Sequence, residues 1–255
     1  QVIILCGGKG ERLREHTERI PKPLVEVGDK PILWHIMKIY SHYGFKDFVL
    51  CLGYKGDLIK KYFMESSGWK GKDFTLSSED DKVLIHKDEE ADWNITFANT
   101  GLDTNTGGRI KKIEKHINDD NFFMTYGDGL SNIDINKLLE YHKKMGKIAT
   151  VTSVRPRSPF GLLYTDGNSI VTGHEEKPVM EQQINGGFFV FRKEVFDYLE
   201  ENDVLEKESM SRLIGKRQLC SYKFDGYWAC MDTYKDTQII NDLWNGQKAQ
   251  WKVWK

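Results

Sequence analysis

The segment Leu5-Cys6-Gly7-Gly8-Lys9-Gly10-Glu11-Arg12-Leu13 follows directly on the apolar run Val2 to Leu5. Backbone N–H groups freed by Gly7, Gly8 and Gly10 can converge on an anion, and Arg12 adds a fork of donors suited to phosphate oxygens. The spacing departs from the dinucleotide fingerprint, because a GxGxxG read from Gly8 needs glycine where Leu13 stands. A phosphate loop of the Gly-Lys-Ser/Thr type is absent as well. Pro21-Lys22-Pro23 comes next, with two prolines stiffening the backbone around one lysine. A rigidly presented ammonium suits a point charge on a phosphoryl group, and a solvated surface lysine is the alternative.

Two aspartates lie far apart in the chain, Asp128 in Gly127-Asp128-Gly129 and Asp232 in Met231-Asp232-Thr233. Two hard oxygen donors completed by phosphates are the usual way a protein holds Mg²⁺, so convergence of the pair would make a metal site. Spacing alone does not show that they converge. Thr100 to Arg109, TGLDTNTGGR, is a second loop of small hydrogen-bonding residues ending in a guanidinium. It reads either as a turn leading into a helix N-cap or as a second anion contact. In EEKP, Lys177 could hold another phosphate and Glu176 a hydroxyl; in INGG, Asn185 could bind a hydroxyl as well.

These residues need elements to position them. Val2 to Leu5 is continuously apolar and β-branched, as in a strand buried on both faces. From Pro31, Ile32, His35, Ile36, Ile39, Tyr40 and Tyr43 recur at helical spacing until Gly44. Phe48 to Leu52 reads as a strand and Asp57 to Met64 as a helix, which together give the βαβ signature of a parallel sheet. Glu65 to Asn94 turns polar and reads as a solvated loop enclosing a short edge strand, Val83 to Ile85. Phe122 to Tyr126 is a strand ending at GDG, so Asp128 falls at a strand's carboxyl end, where open α/β sheets bind ligands. A helix over Ile133 to Met145 and strands over Ile148 to Val154, Leu162 to Tyr164, Ser169 to Thr172 and Phe188 to Phe191 follow. A last amphipathic helix begins at Thr233. No repeat or linker interrupts the chain, so residues 1–255 read as a single domain.

Lys plus Arg number 37 against 38 Asp plus Glu, a formal net charge of -1, which argues against nucleic acid or an anionic membrane as a partner. With 39% hydrophobic, 12% aromatic and 29% charged residues, the chain lies in the globular range. Cys6, Cys51, Cys220 and Cys230 form no CxxC pair and read as reduced thiols. No apolar run reaches the length of a membrane span, and the opening segment is unlike a signal peptide, so the expected location is cytoplasmic. Trp244, Trp251 and Trp254 sit in a polar tail, either packed on the chain's own surface or anchoring a subunit interface.

Taken in order, GGxGxRL, PKP, TGxxTxTGGR, TYGDG, EKP, INGGFFV and MDT resemble the sugar-1-phosphate nucleotidyltransferases over nearly the whole chain. KPILWHIMKIYSHYG, TGLDTNTGGR and WKVWK are particular to the cytidylyl branch of that family. The resemblance implies an α/β fold: a Rossmann-like mixed central sheet with a small β-rich extension at the sugar-binding and C-terminal side. It implies CTP and α-D-glucose 1-phosphate as substrates, Mg²⁺ as cofactor, and CDP-glucose and pyrophosphate as products. Use of UTP or dTTP, or a catalytically silent nucleotide-sugar-binding regulator, are the alternatives.

By similarity, Leu5, Cys6, Gly7, Gly8, Lys9, Gly10, Glu11 and Arg12 wrap the nucleotide, Lys22 contacts its phosphates, and Thr104, Arg109 and Gly127 complete the nucleotide side. Asp128 and Asp232 would ligate the metal, and Arg12, Lys22, Asp128 and Asp232 would carry catalysis. Glu176, Lys177 and Asn185 would hold the sugar phosphate. The same resemblance implies a homo-oligomer, with a hexamer as one arrangement.

Overall fold

The computed structural model describes residues 1–13, 17–66, 74–77, 82–85 and 93–254. Among these residues seven strands form one mixed sheet: β1 (Val2–Leu5), β2 (Asp47–Leu52), β3 (Asn94–Asn99), β4 (Asn121–Tyr126), β5 (Ala149–Val154), β6 (Ile184–Arg192) and β7 (Leu219–Phe224). Their spatial order is β3-β2-β1-β4-β6-β5-β7. All neighbouring pairs run parallel except those made by β6, which is antiparallel to both β4 and β5. From β1 the chain adds strands outward to β3, then returns to place β4 on the other side of β1. That reversal opens a crevice beyond the carboxyl ends of β1 and β4, where the glycine-rich loop and GDG begin.

Among the described residues, the α-helices that complete the layers are α1 (Ile32–His42), α2 (Gly56–Ser66), α3 (Thr106–Lys112), α4 (Ile135–Met145), α5 (Met210–Gly215) and α6 (Tyr234–Asn245). Side chains alternate across a strand, so β1 feeds two cores. Val2 and Ile4 pack with Ile36 and Tyr40 of α1, Ile59 of α2, Leu138 of α4 and Ile240 of α6. Ile3 and Leu5 pack with Ile110 of α3, Phe196, Leu205 and Leu213 of α5 on the opposite face. The β-rich extension is a separate antiparallel hairpin, Leu162–Thr165 with Val171–Glu175.

Several expected boundaries shift. α4 begins at Ile135, two residues later than expected, because the Asp134 side chain accepts the Lys137 N–H and caps the helix. The expected strand over Ser169 to Thr172 is displaced to Val171–Glu175, since Asp166 accepts the N–H groups of Asn168 and Ile170 and makes that stretch a turn. Residues 82–85 do form a strand, paired with 74–77, while the charged runs expected to be solvated around them lie outside the described residues.

Candidate active site

The glycine-rich loop leaves β1 with Cys6 N–H donating to Cys51 O, and it regains regular structure in the short 3₁₀ turn Glu11–Leu13. Between those points the N–H groups of Gly8, Lys9 and Gly10 donate to no protein acceptor among the described residues. These three residues line a cleft of about 640 Å³ together with the rest of Leu5 through Arg12, Lys22, Leu102 through Thr106, Arg109 and Tyr126 through Asp128. A row of unused backbone donors at a glycine turn is what an anion cradle requires.

Arg109 has a different job from the direct anion contact its type suggested. It is buried, and its guanidinium donates to the carbonyl oxygens of Gly7 (3.0 Å), Leu52 (3.3 Å), Gly101 (2.7 Å) and Leu102 (3.1 Å) and to Thr100 Oγ1 (2.8 Å). The donors an arginine offers are thus turned to protein oxygens that tie the glycine-rich loop to the ends of β2 and β3. A Cβ at Gly7 would stand 2.2 Å from Arg109 Nη1, so only glycine admits this clamp. Thr104 Oγ1 donates to Thr100 O at 2.7 Å, folding the second loop over its own start. The two loops meet again through the exposed Lys9–Asp103 pair at 2.9 Å.

Asp128 and Asp232 do converge. Trp228–Cys230 pairs antiparallel with Gly129–Ser131, and Met231 N–H donates to Asp128 O at 3.0 Å, so MDT is laid against GDG. Lys22 Nζ stands 2.6 Å from Asp128 Oδ2 and 2.6 Å from Asp232 Oδ1, and Arg12 Nη1 lies 2.9 Å from Asp232 Oδ2. Burial alone would lower the Lys22 pKa, yet the two carboxylates outweigh it and hold the ammonium above its ordinary value. Burial likewise opposes ionisation of Asp232, and the hydrogen bond and charge of Lys22, aided by Arg12, bring its carboxyl below the ordinary value. Thr233 and Asp236 close a capping box at the start of α6, which fixes the backbone just after Asp232.

A divalent cation fits the donor set. Ligand atoms of Asp128, Asp232 and Cys230 lie within 4.8 Å of one another. The two carboxylates are hard oxygen donors suited to Mg²⁺; burial and both carboxylates push the Cys230 thiol up, so it stays neutral and offers such an ion little. Cys6 is buried and pushed well above its ordinary value by the same cause, which leaves it a small apolar residue in the cleft wall.

The expected sugar-phosphate residues are not gathered as closely. Glu176 and Lys177 are exposed at the end of the 162–175 hairpin, 3.3 Å from each other, and are not among the residues lining the cleft. Asn185, at the start of β6, reaches the cleft wall indirectly: its Nδ2 donates to Tyr126 Oη at 3.2 Å. Tyr126 donates in turn to Glu206, and Glu206 also accepts from Thr106 Oγ1 at 2.8 Å. Glu206 carries no recognisable motif and belongs to a π-helical turn, Leu205–Ser209. That turn is braced by buried Asp203, which accepts from Arg212 and Ser209. The segment leading into the turn can approach α3 because Gly108 has no side chain: a Cβ there would lie 2.0 Å from Glu201 O.

Residues 1–250 match the family described as Nucleotidyl transferase. The chain is 45% identical over 256 residues to a Bacillus subtilis (strain 168) protein named "Probable glucose-1-phosphate cytidylyltransferase", covering 100% of both chains. It is 40% identical over 259 residues, again covering 100% of both, to a Salmonella typhi protein named "Glucose-1-phosphate cytidylyltransferase". Among solved structures, HddC from Yersinia pseudotuberculosis superposes with a TM-score of 0.70 at 22% identity, covering 95% of this chain and 98% of that one. At that identity the likeness speaks for the fold.

Proposed function

The chain belongs to the nucleotidyl transferase family, and from that premise we propose that it is a glucose-1-phosphate cytidylyltransferase, joining CTP to α-D-glucose 1-phosphate. The observation that carries this reading is full-length identity of 45% and 40% to cytidylyltransferases with that substrate in their names. The cleft supports it with a phosphate-sized row of backbone donors and two cations beside two carboxylates.

An anionic oxygen of the sugar phosphate forms a bond to the α-phosphorus of CTP, and the bond from that phosphorus to the bridging oxygen breaks. Pyrophosphate leaves with the electron pair. The attacking oxygen is already ionised at neutral pH, so no general base is needed, and positioning with charge neutralisation supplies the rate. Gly8, Lys9 and Gly10 hold the nucleotide phosphates through their free N–H groups, with Leu5, Cys6, Glu11, Thr104 and Gly127 forming the surrounding walls. Arg12 and Lys22 offset the repulsion between the two anions. Asp128 and Asp232 would hold Mg²⁺, which when bound neutralises phosphate charge that Lys22 and Arg12 cannot reach alone. Arg109 keeps the two loops in register. Glu176, Lys177 and Asn185 bind the sugar phosphate.

A homo-oligomer is part of this reading, and the exposed apolar side chains of the 162–175 hairpin and its flanks, Phe160, Leu163 and Ile170, are a surface it would cover. No helix among the described residues is long and apolar enough to cross a membrane. The deciding experiment follows pyrophosphate release from glucose 1-phosphate with CTP, UTP, dTTP, ATP and GTP in competition. CTP is expected to lead. A lead for UTP or dTTP would reassign the base, and no release with any of the five would end the enzymatic reading.

A further inference from the structure

We propose that Glu206 is a positioning residue for sugar recognition: through Tyr126 it fixes the polarity of the Asn185 amide, so that Asn185 meets the sugar as a hydrogen-bond donor. The inference rests on the reading above that the cleft takes a hexose phosphate.

The argument is one of hydrogen-bond direction. An ionised carboxylate can only accept. Glu206 therefore accepts a hydrogen bond from each of two hydroxyls, Tyr126 Oη on one oxygen and Thr106 Oγ1 on the other. Thr106 Oγ1 in turn accepts from Leu205 N–H at 2.8 Å, so the hydroxyl is held between that donor and the carboxylate. With its only proton committed to Glu206, Tyr126 Oη is left as an acceptor, and the group it faces is Asn185 Nδ2 at 3.2 Å. The other end of the amide is held by Gly187 N–H, which donates to Asn185 Oδ1 at 2.9 Å. Both ends thus agree on one orientation. The carbonyl oxygen faces the β6 backbone, one Nδ2 proton faces Tyr126, and the second Nδ2 proton has no protein partner among the described residues.

Asn185 is exposed while Tyr126 lines the cleft, so the amide stands at the rim with a donor to offer. A sugar hydroxyl oxygen is an acceptor that such a donor fits. A tyrosine lacking its carboxylate partner could instead point its proton at Asn185, opposing the orientation that the Gly187 N–H holds, and the two ends of the amide would no longer agree. The relay also spans the site: Thr106 starts the helix that carries Arg109, and Asn185 lies near the start of β6, the strand beside β4.

The test uses Tyr126→Phe, Glu206→Gln and Asn185→Asp in the full chain. Steady-state kinetics are measured with CTP and glucose 1-phosphate, and again with each of its monodeoxy analogues. Each variant is expected to raise KM for glucose 1-phosphate by about five- to tenfold, the scale of one lost hydrogen bond. KM for CTP should stay within about twofold, since the nucleotide-side donors are untouched. The unmodified enzyme should disfavour one monodeoxy analogue, and all three variants should lose that discrimination. Asn185→Asp is the safeguard against misfolding, because the side chain is exposed and removal of its donor leaves the Glu206–Thr106 contact intact. Unchanged KM for glucose 1-phosphate in Asn185→Asp, with the analogue still disfavoured, would overturn the proposal. So would an equal rise of both KM values in the Tyr126 and Glu206 variants, which would mark the relay as a brace for the cleft wall. Failure of the function reading looks different: the unmodified chain would then release no pyrophosphate from this pair of substrates.

Discussion

Lys22 and Asp232 are 210 positions apart in the chain, yet the ammonium stands 2.6 Å from one carboxylate oxygen of Asp232 while touching Asp128 at the same distance. One cation therefore holds two acidic groups that would otherwise repel each other where Met231-Asp232-Thr233 is laid against Gly127-Asp128-Gly129. In the proposed reaction this lysine would both organise the Asp128–Asp232 pair and offset phosphate charge. Lys22→Met should lower turnover by about 10²–10³, the scale of losing one placed electrostatic contact. The check is pyrophosphate release alongside thermal unfolding. A full-rate variant would reduce PKP to a stiff turn.

Asp128→Ala and Asp232→Ala should each abolish metal-dependent turnover, because a single carboxylate leaves a divalent cation with too few protein oxygens. Titration of CDP-glucose formation against Mg²⁺ checks this. Near-normal formation by either variant would remove the metal assignment.

The glycine-rich loop yields a contrast between adjacent residues. Gly7→Ala drives a methyl group to 2.2 Å from the Arg109 guanidinium, whereas a Cβ at Gly8 meets nothing within 4 Å. Gly7→Ala should break the clamp, cost about 1–3 kcal/mol of stability as buried donors lose acceptors, and raise KM for the nucleotide. Gly8→Ala should unfold at the temperature of the unmodified chain. Thermal denaturation of the pair decides, and equal midpoints would show that Arg109 finds other acceptors.

How far the sequence was legible differs by residue. The cradle was readable because its strand, glycines and arginine are contiguous, and β1 is central, with every side chain apolar. β3 and β7 escaped notice because both are edge strands whose half-exposed side chains break the apolar run. The meeting of Asp128 with Asp232 depends on a three-residue strand pair between distant segments, for which spacing holds no signal. Arg109 misled for a related reason: the carbonyl oxygens that claim it come from two loops and the end of β2 and become neighbours only in the folded chain. Glu206 was invisible because its role comes from the π-helical turn and from Thr106, with no local pattern of its own.

Acid should destabilise the fold before the carboxylates titrate. His35 is fully buried, and burial pulls its pKa to about 4 against the opposing pull of the Val27 carbonyl and Asp29. His142 falls to about 4 through burial, then through the charges of Arg192 and Lys143. In the unfolded chain both titrate near about 6.5. Because the folded values are the lower ones, the unfolded state takes up protons first as pH falls, so stability is complete above about pH 6.5 and declines toward about pH 4. Each histidine contributes on the order of a few kcal/mol to that decline. Urea unfolding across this range should show the midpoint dropping, and His35→Gln with His142→Gln should flatten the profile. A flat profile for the unmodified chain would mean that both histidines are protonated without cost.

The tryptophan tail ties this titration to the packing of the last residues. Trp251 is fully buried, stacks on Tyr227 and Trp244 with ring centres 5.7 and 6.3 Å away, and belongs to the core under α1. Its indole N–H can only donate, and the group it meets at 3.4 Å is His35 Nδ1. The His35 proton therefore resides on Nε2, which donates to Val27 O at 2.9 Å. Trp254 closes the cluster edge-on to Trp34 at 5.7 Å. Of the two readings of the tail, packing on the chain's own surface accounts for Trp251, and the energetic consequence is intramolecular. Trp251→Ala should cost about 3–5 kcal/mol, the scale of emptying a large aromatic site in a core. It should also raise the His35 pKa toward its unperturbed value, because water gains access to the ring. Denaturant unfolding gives the first quantity and NMR titration of the His35 ring the second. Truncation after Asn245 should reproduce both effects at constant mass in solution; a change of mass without loss of stability would instead place the tail between subunits.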